Sequence, residues 1–359
     1  MKRCTVILLL AIICVVFGGC SQSQQVESQA FVLALGVDFA PDGGYALSAR
    51  MPRIAGKSNE DGAAENSSYL NVTTTGADYE SALDALVNVT PRSLNLSQLK
   101  IIAFSEDVAG SGDFRALVEK ISQTERLFSA ARIVVCKGSA RSFVNALEPA
   151  FGTRLSKAIM ASFDHFEVLG TVPASSLADL CYRMESFYSD PMTAYAQTGM
   201  PDHIESEIPV SYTGAALFSD GRLVGTLDAL ECRIAALITG SASSIWMTEH
   251  GQMIRLIQIS PPRVKLDLDS DPMRIDLTFA LSVGVRDSAL NADGISDEFA
   301  GQAMRAIAHT QSIGAEPFGF SEIAAKNFDT IRQFTDFDFK SRYRNAKIRI
   351  QVDLKEMTA

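Results

Sequence analysis

The chain has 359 residues, 47% of them hydrophobic and 21% charged, the composition of a folded protein with its own core and not of a disordered one. Its 32 Lys and Arg against 42 Asp and Glu leave a net charge of −10, which argues against a phosphate-backbone binder, so no nucleic acid is expected as a partner. After the first twenty residues, no apolar run reaches the ~18 residues needed to span a bilayer.

The chain begins with a processing signal. Lys2 and Arg3 supply a basic start, Thr5 to Val16 an apolar stretch of signal-peptide length, and Phe17-Gly18-Gly19-Cys20 the form of a bacterial lipobox. Residues 1–19 read as a lipoprotein signal peptide, Cys20 as the lipidation site (S-diacylglycerol and N-acyl), and 20–30 as a lipidated tether. An ordinary secretory signal ending in an incidental cysteine is the other reading. Each buried methylene contributes about 0.8 kcal/mol to membrane attachment, and two chains hold where one is marginal. Loss of Lys2 and Arg3 makes the mature chain still more acidic, so acyl chains rather than net charge are expected to hold it at an anionic membrane. Cys136, Cys181 and Cys232 are odd in number and widely spaced, which makes no closed disulfide framework. Cys136 follows Ile133-Val134-Val135 and reads as a buried, inert thiol.

Along the mature chain, Phe31 to Val37 reads as a buried strand and Tyr45 to Met51 as its return across Asp42-Gly43-Gly44. Arg53 to Ser68 is polar and Gly-rich, a loop; Tyr69 to Thr75 is a strand. Asp78 caps a helix with Leu83, Leu86 and Val87 on one face. Then follow a strand at Leu99 to Phe104, a helix at Phe114 to Ile121, a strand at Arg132 to Cys136, and a helix capped by Ser139. Helices at Arg154 to Phe166 and Ser175 to Phe187 lead to Asp190-Pro191, Gly199-Met200-Pro201 and Pro209, read as a linker over 196–209. Beyond it, Val210 to Phe218 and Arg222 to Leu227 form a hairpin about Asp220-Gly221, and Asp228 caps a helix to about Ile238. Extended segments are expected at Gln252 to Ile259, Arg263 to Leu268 and Arg274 to Val285. A helix over Ser296 to Gln311 carries Phe299, Ala303 and Ile307 on one stripe, and another from Ser321 carries Ile323, Phe328, Ile331 and Phe334. Alternating Ile348, Ile350, Val352 and Leu354 close the chain as a half-buried strand. This order predicts an α+β fold with mixed sheets covered by helices, divided into 31–195 and 210–359.

Several segments together resemble one family, the Ger(x)C lipoproteins that form the C subunits of nutrient germinant receptors in spore-forming bacteria. Glu27 to Asp38 after the lipobox is similar to the family's acidic residue, apolar strand and Gly-aliphatic-Asp ending. Leu99 to Glu106 and Ala131 to Gly138 resemble two of its strands. Gly214-Ala215-Ala216-Leu217-Phe218 through Arg222-Leu223-Val224-Gly225, with Leu227, Glu231 and Arg233, is the most specific match; Ala315 to Phe320 resembles the phrase before the last helix. Where the family carries Trp-Asp after its lipid cysteine, this chain has Ser21-Gln22. The resemblance implies two to three α/β units after the signal peptide; with three, 31–195 itself divides, and with two it does not. It also implies a protein held on the outer face of the cell membrane or inner spore membrane, beside membrane-spanning A- and B-type subunits that sense small nutrients. Whether this chain itself touches a small-molecule germinant is left open.

No catalytic or cofactor-binding motif stands out. The four histidines, His165, His203, His250 and His309, lack metal-site spacing. Asp267, Asp269 and Asp271 imitate a calcium loop, but Pro272 stands in place of its glycine and Thr278 in place of its closing glutamate. No nucleophile elbow, P-loop or dinucleotide fingerprint occurs. No catalytic, metal or cofactor site is therefore assigned, and the protein reads as a non-enzyme. Glu231 and Arg233 are candidate partner contacts, with solvation or a local ion pair as the other reading; two apart on a helix, they do not face each other. Trp246, the single tryptophan, is assigned to core or loop packing. A solute-binding lipoprotein of a transporter is the alternative function, and would need two similar lobes around a cleft.

Overall fold

The computed structural model describes residues 28–53, 69–124, 127–149, 154–186, 188–200, 204–205, 207–249, 252–283 and 292–356. Cys20, the signal peptide, most of the tether and most of the 53–68 loop lie outside the described residues.

The first half is one sheet. β2 (Ala34–Phe39), β6 (Ile101–Ser105), β7 (Arg132–Lys137) and β8 (Met192–Thr198) run parallel at its centre. β3 (Tyr45–Pro52) and β4 (Tyr69–Gly76) extend it antiparallel on one side, and β9 (Val210–Ser219) and β10 (Arg222–Asp228) on the other. The resulting order is β10-β9-β8-β7-β6-β2-β3-β4, with β1 (Gln29–Phe31) and β5 (Ser93–Asn95) pairing separately. Helices cover both faces. On one, α1 (Tyr79–Val89), α3 (Phe114–Ser122) and α6 (Leu177–Glu185) bury Leu86, Leu117 and Leu180 against Ile102, Phe104, Ile133 and Val135. On the other, α4 (Ala140–Ala146) and α5 (Leu155–Val168) bury Phe143, Val144 and Phe163 against Ala103, Val134 and Cys136. Burial on both faces explains why these central strands are continuously apolar where a one-sided strand would alternate. The short helix α2 (Glu106–Ala109) follows β6.

The second sheet has four strands, β11 (Ser244–Glu249), β12 (Gln252–Asp267), β13 (Arg274–Val283) and β14 (Lys347–Glu356), in that order. α7 (Ala229–Thr239) and α8 (Ala292–Ile313) bury one face of it, where Phe279 meets Phe299 edge-on at 5.1 Å. α9 (Phe320–Ala325), α10 (Ile331–Phe337) and α11 (Phe339–Arg344) complete that core. The chain is thus α+β, with two main mixed sheets and helices over them.

Several sequence expectations change. The expected linker 196–209 joins β8 to β9, which pair with each other, so the first sheet runs on to Asp228. β8 itself was hidden because the residues it buries against α4 and α5, Ala194 and Ala196, are small. The two extended segments at 252–268 are one strand bent through Pro261-Pro262 with shifts of register, and β11 precedes it. The helix expected from Ser321 breaks into three, and Ile331 is exposed, because Thr330 caps α10 and Asp338, at φ +50°, turns the chain into α11. On α1 the buried face is Tyr79, Ala82 and Leu86, leaving Val87 outside. Cys136, Cys181 and Cys232 are free thiols; burial pushes Cys136 well above the ordinary 9.0 and Cys232 up to about 12, leaving both unreactive.

The Gly-aliphatic-Asp phrase ending β2 and the Lys137-Gly138 turn after β7 form one device. Asp38 accepts from the Ala140 and Arg141 backbone N–H groups, both at 2.8 Å, and from the Ser139 hydroxyl at 3.3 Å, capping α4 from a neighbouring strand. Gly36 lets α4 come close: a Cβ there would lie 3.0 Å from the Ala140 carbonyl oxygen and 3.2 Å from Val144. Asp38→Ala should therefore cost about 1–2 kcal/mol of stability by urea unfolding, the price of an N-terminal cap and its dipole interaction. A change below about 0.3 kcal/mol would show that Ser139 suffices.

Candidate functional site

A network of charged side chains, with Glu316 buried and Asp190 nearly so, lies where the two sheets meet. Asp190, just before β8, accepts the Glu316 N–H on Oδ2 at 2.8 Å, and its own N–H donates to the Glu316 carbonyl at 3.1 Å. Lys340 of α11 donates to Asp190 Oδ1 at 3.2 Å and to Asp220 Oδ1 at 3.1 Å, so one ammonium ties the β8 approach and the β9–β10 turn to the C-terminal helices. That turn is possible because Asp220 and Gly221 both take positive φ, 53° and 78°.

Glu316 organises the phrase Ala315 to Phe320. Its Oε1 accepts from the Phe318 and Phe320 N–H groups at 2.9 and 3.1 Å, and its Oε2 from the N–H and hydroxyl of Ser321 at 3.1 and 3.0 Å. The side chain is buried, and desolvation raises its pKa from 4.5 to about 7 despite these four donors. Burial also raises Asp190, partly opposed by Lys340. A cleft of about 400 Å³ opens above this network, with Arg115 and Arg183 on one wall and Thr335 and Asp338 on the other. Arg183 donates to Ser189 at 3.1 Å. Lys340 and the Glu316 backbone tie Asp190 and Asp220 to the C-terminal segment, while the Glu316 carboxylate is engaged within its own segment. Among the described residues, no group of three or more His, Cys, Asp or Glu side chains could hold a metal ion.

The carboxyl ends of the central strands, where open α/β sheets usually bind ligands, are also occupied. Asp38 takes the N-terminus of α4, and Tyr195 donates to Glu106 at 2.7 Å.

The candidate contact residues turn inward to the chain. Glu231 closes a capping box with Asp228, accepting its N–H on Oε2 at 3.0 Å, while Oε1 lies 2.8 Å from His309 Nδ1 on α8. Arg233 donates to the Trp246 carbonyl at 3.1 Å. The pair therefore joins α7 to two different elements. Trp246 itself lies on the outer side of β11, 37% exposed, and so in neither the core nor the loop the sequence reading offered. Sequence reading missed Asp190, Lys340 and Glu316. The usable signal was Glu316 itself, a carboxylate set inside an otherwise uncharged, aromatic phrase.

Family models account for both halves. Residues 22–198 match "Spore germination protein N-terminal domain" and residues 213–355 match "Spore germination B3/ GerAC like, C-terminal". The chain belongs to the Ger(x)C family of spore germination proteins. No curated protein matches it. A solved structure, "Crystal Structure of the GerBC protein", superposes at TM-score 0.57 over 90% of this chain and 97% of its own at 11% identity, which establishes a shared fold. The C-terminal family match begins inside β9, so its first two strands complete the sheet of the N-terminal match.

The raised Glu316 gives a signed pH prediction. The fold binds that proton more tightly than the unfolded chain, so the contribution of Glu316 to stability is fullest below about 4.5. It declines by about 3 kcal/mol as pH rises to about 7. Glu316→Gln should gain on the wild type between pH 4.5 and 8 in denaturant titrations. A gap that widens against the variant would mean that the four donors keep the carboxylate ionised.

Proposed function

We propose that this protein is the lipid-anchored, non-enzymatic C subunit of a spore germinant receptor. It supports nutrient-triggered germination by assembling with membrane-spanning A- and B-type subunits on the outer face of the cell membrane or inner spore membrane. The observation that carries the reading is membership of the germination family along both halves of the chain, coupled to a lipobox cysteine nine residues before the first strand. The internal chemistry supports it: Lys340, Asp190 and Asp220 at the sheet junction bond to one another. No helix among the described residues is long and apolar enough to cross a membrane, which leaves Cys20 to supply attachment in this reading. The solute-binding alternative needs two similar lobes, whereas the sheets have eight strands and four in unrelated orders.

Two measurements test this. Spores lacking the protein but retaining their membrane subunits should lose response to at least one nutrient, with the response restored by the intact gene; an unchanged germination profile in every nutrient, with no second receptor present, sinks the receptor role. In fractionated cells, Cys20→Ala should abolish palmitate labelling and move the protein out of the membrane pellet. Retention of both label and sedimentation would rule out Cys20 as the anchor.

A further inference from the structure

We infer that the outer face of the four-stranded sheet docks on an anionic phospholipid bilayer. Strand register defines this face. Ile275, Leu277, Phe279 and Leu281 of β13 point into the helical core, so Arg274 and its alternate neighbours point out, in line with Lys347, Arg349 and Lys355 of β14 and Arg263 and Lys265 of β12. All six of these cations are exposed, and among the described residues none of them forms a salt bridge. Arg255 adds a seventh at the β11 end, where Trp246 and Met253 (37% and 69% exposed) stand beside it. Three carboxylates, Asp267, Asp276 and Asp353, share the face, and Asp269 and Asp271 lie in the turn at one end.

Solvation of an open sheet face requires polar side chains, but not a surplus of one sign. Here the strands carry a surplus of four positive charges, two once Asp269 and Asp271 of the turn are counted, on one face of a chain whose net charge is −10, which leaves the remaining surface strongly acidic. Such a molecule meets an anionic surface in one orientation, with this face toward it and the rest repelled. The cations lie in rows across adjacent strands, about 5 Å apart between strands and about 7 Å between alternate residues. That is a flat lattice rather than a groove shaped for a peptide, and no cavity found among the described residues is lined by these cations. An exposed tryptophan beside arginine suits the headgroup region, where an amphipathic ring has one apolar and one wet side.

The proposed anchor supplies only reach: the eight residues from Ser21 to Ser28 extend at most about 30 Å, so the bilayer remains within a molecular diameter of the fold. The inference rests on the membrane reading in that respect alone.

The test uses a chain starting at Ser21, which keeps every described element and carries no lipid. It is mixed with phosphatidylcholine vesicles with or without phosphatidylglycerol. Sedimentation with the phosphatidylglycerol vesicles alone, falling at least tenfold between low and high salt, is expected. The triple variant R263E/K265E/R349E should lower binding at least tenfold, and the uncharged R263Q/K265Q/R349Q should also lower it. K157E/K326E/R332E, with the same change in net charge at exposed sites elsewhere, should stay within about twofold of wild type. Equal loss in both charge-reversed triples, or no wild-type binding, overturns the proposal. So does retention on an acidic polypeptide resin with no vesicle binding, which would assign the face to a protein partner. Because this chain lacks Cys20, failure here leaves the anchor untouched, and failure of palmitate labelling leaves this result standing.

Discussion

One strand holds the molecule together. β9 alternates with period two between two cores: Ala216 and Phe218 join the core of the first sheet, Ala215 and Leu217 the core of the second. Phe218 stacks on Phe114 at 5.2 Å, and Phe114 meets Phe104 edge-on at 5.0 Å, so its side of β9 is part of the first sheet's aromatic packing. A shift of one residue in pairing would exchange every one of these side chains between cores. The two halves are therefore not beads on a linker. They are neighbouring cores with a wall in common, and the hairpin β9–β10 is that wall.

The polar junction follows from this arrangement. Once β9 commits to both cores, its turn at Asp220-Gly221 lies beside the approach to β8 and the C-terminal helices, and Lys340 satisfies carboxylates from both. Asp190 is mostly buried and Asp220 exposed, so the Lys340–Asp190 contact is the one whose loss would leave a poorly solvated carboxylate at the junction. That suits the assembly role proposed above. It also explains why this charged cleft need not be a ligand site: its central cation and the Glu316 carboxylate are engaged within the chain.

Much of the secondary structure was legible from local chemistry. The caps at Asp78, Ser139 and Asp228 each bond helix N–H groups as the side-chain types imply. The stripe Phe299, Ala303, Ile307 is fully buried, and Ile348 to Leu354 alternate half-buried with exposed as their period requires. What failed locally failed for identifiable reasons. β8 holds strand-favouring Thr193, Tyr195 and Thr198, but Ala194 and Ala196 leave it only a weak apolar pattern, and it is recognised as a strand only once β7 and β9 bracket it. The prolines at 191, 201 and 209 flank β8 or its loop and so imitate a domain boundary. Glu231 and Arg233 stood out by family likeness, yet their side chains are bound to Asp228, His309 and Trp246, contacts that link residues up to 78 positions apart.

By itself the sequence determined the fold class, the family likeness and the lack of catalytic motifs, because each of these is written in short-range spacing and residue type. Only the tertiary structure decided that the hairpin after residue 209 belongs to the first sheet, that Asp38 caps a helix a hundred residues away, and that Asp190, Asp220, Glu316 and Lys340 converge. It also gathered scattered lysines and arginines of an acidic chain onto one sheet face. The physical reason is common to all of these. Strand pairing brings together residues that are remote in the chain, and no local periodicity records which strand a given strand will choose.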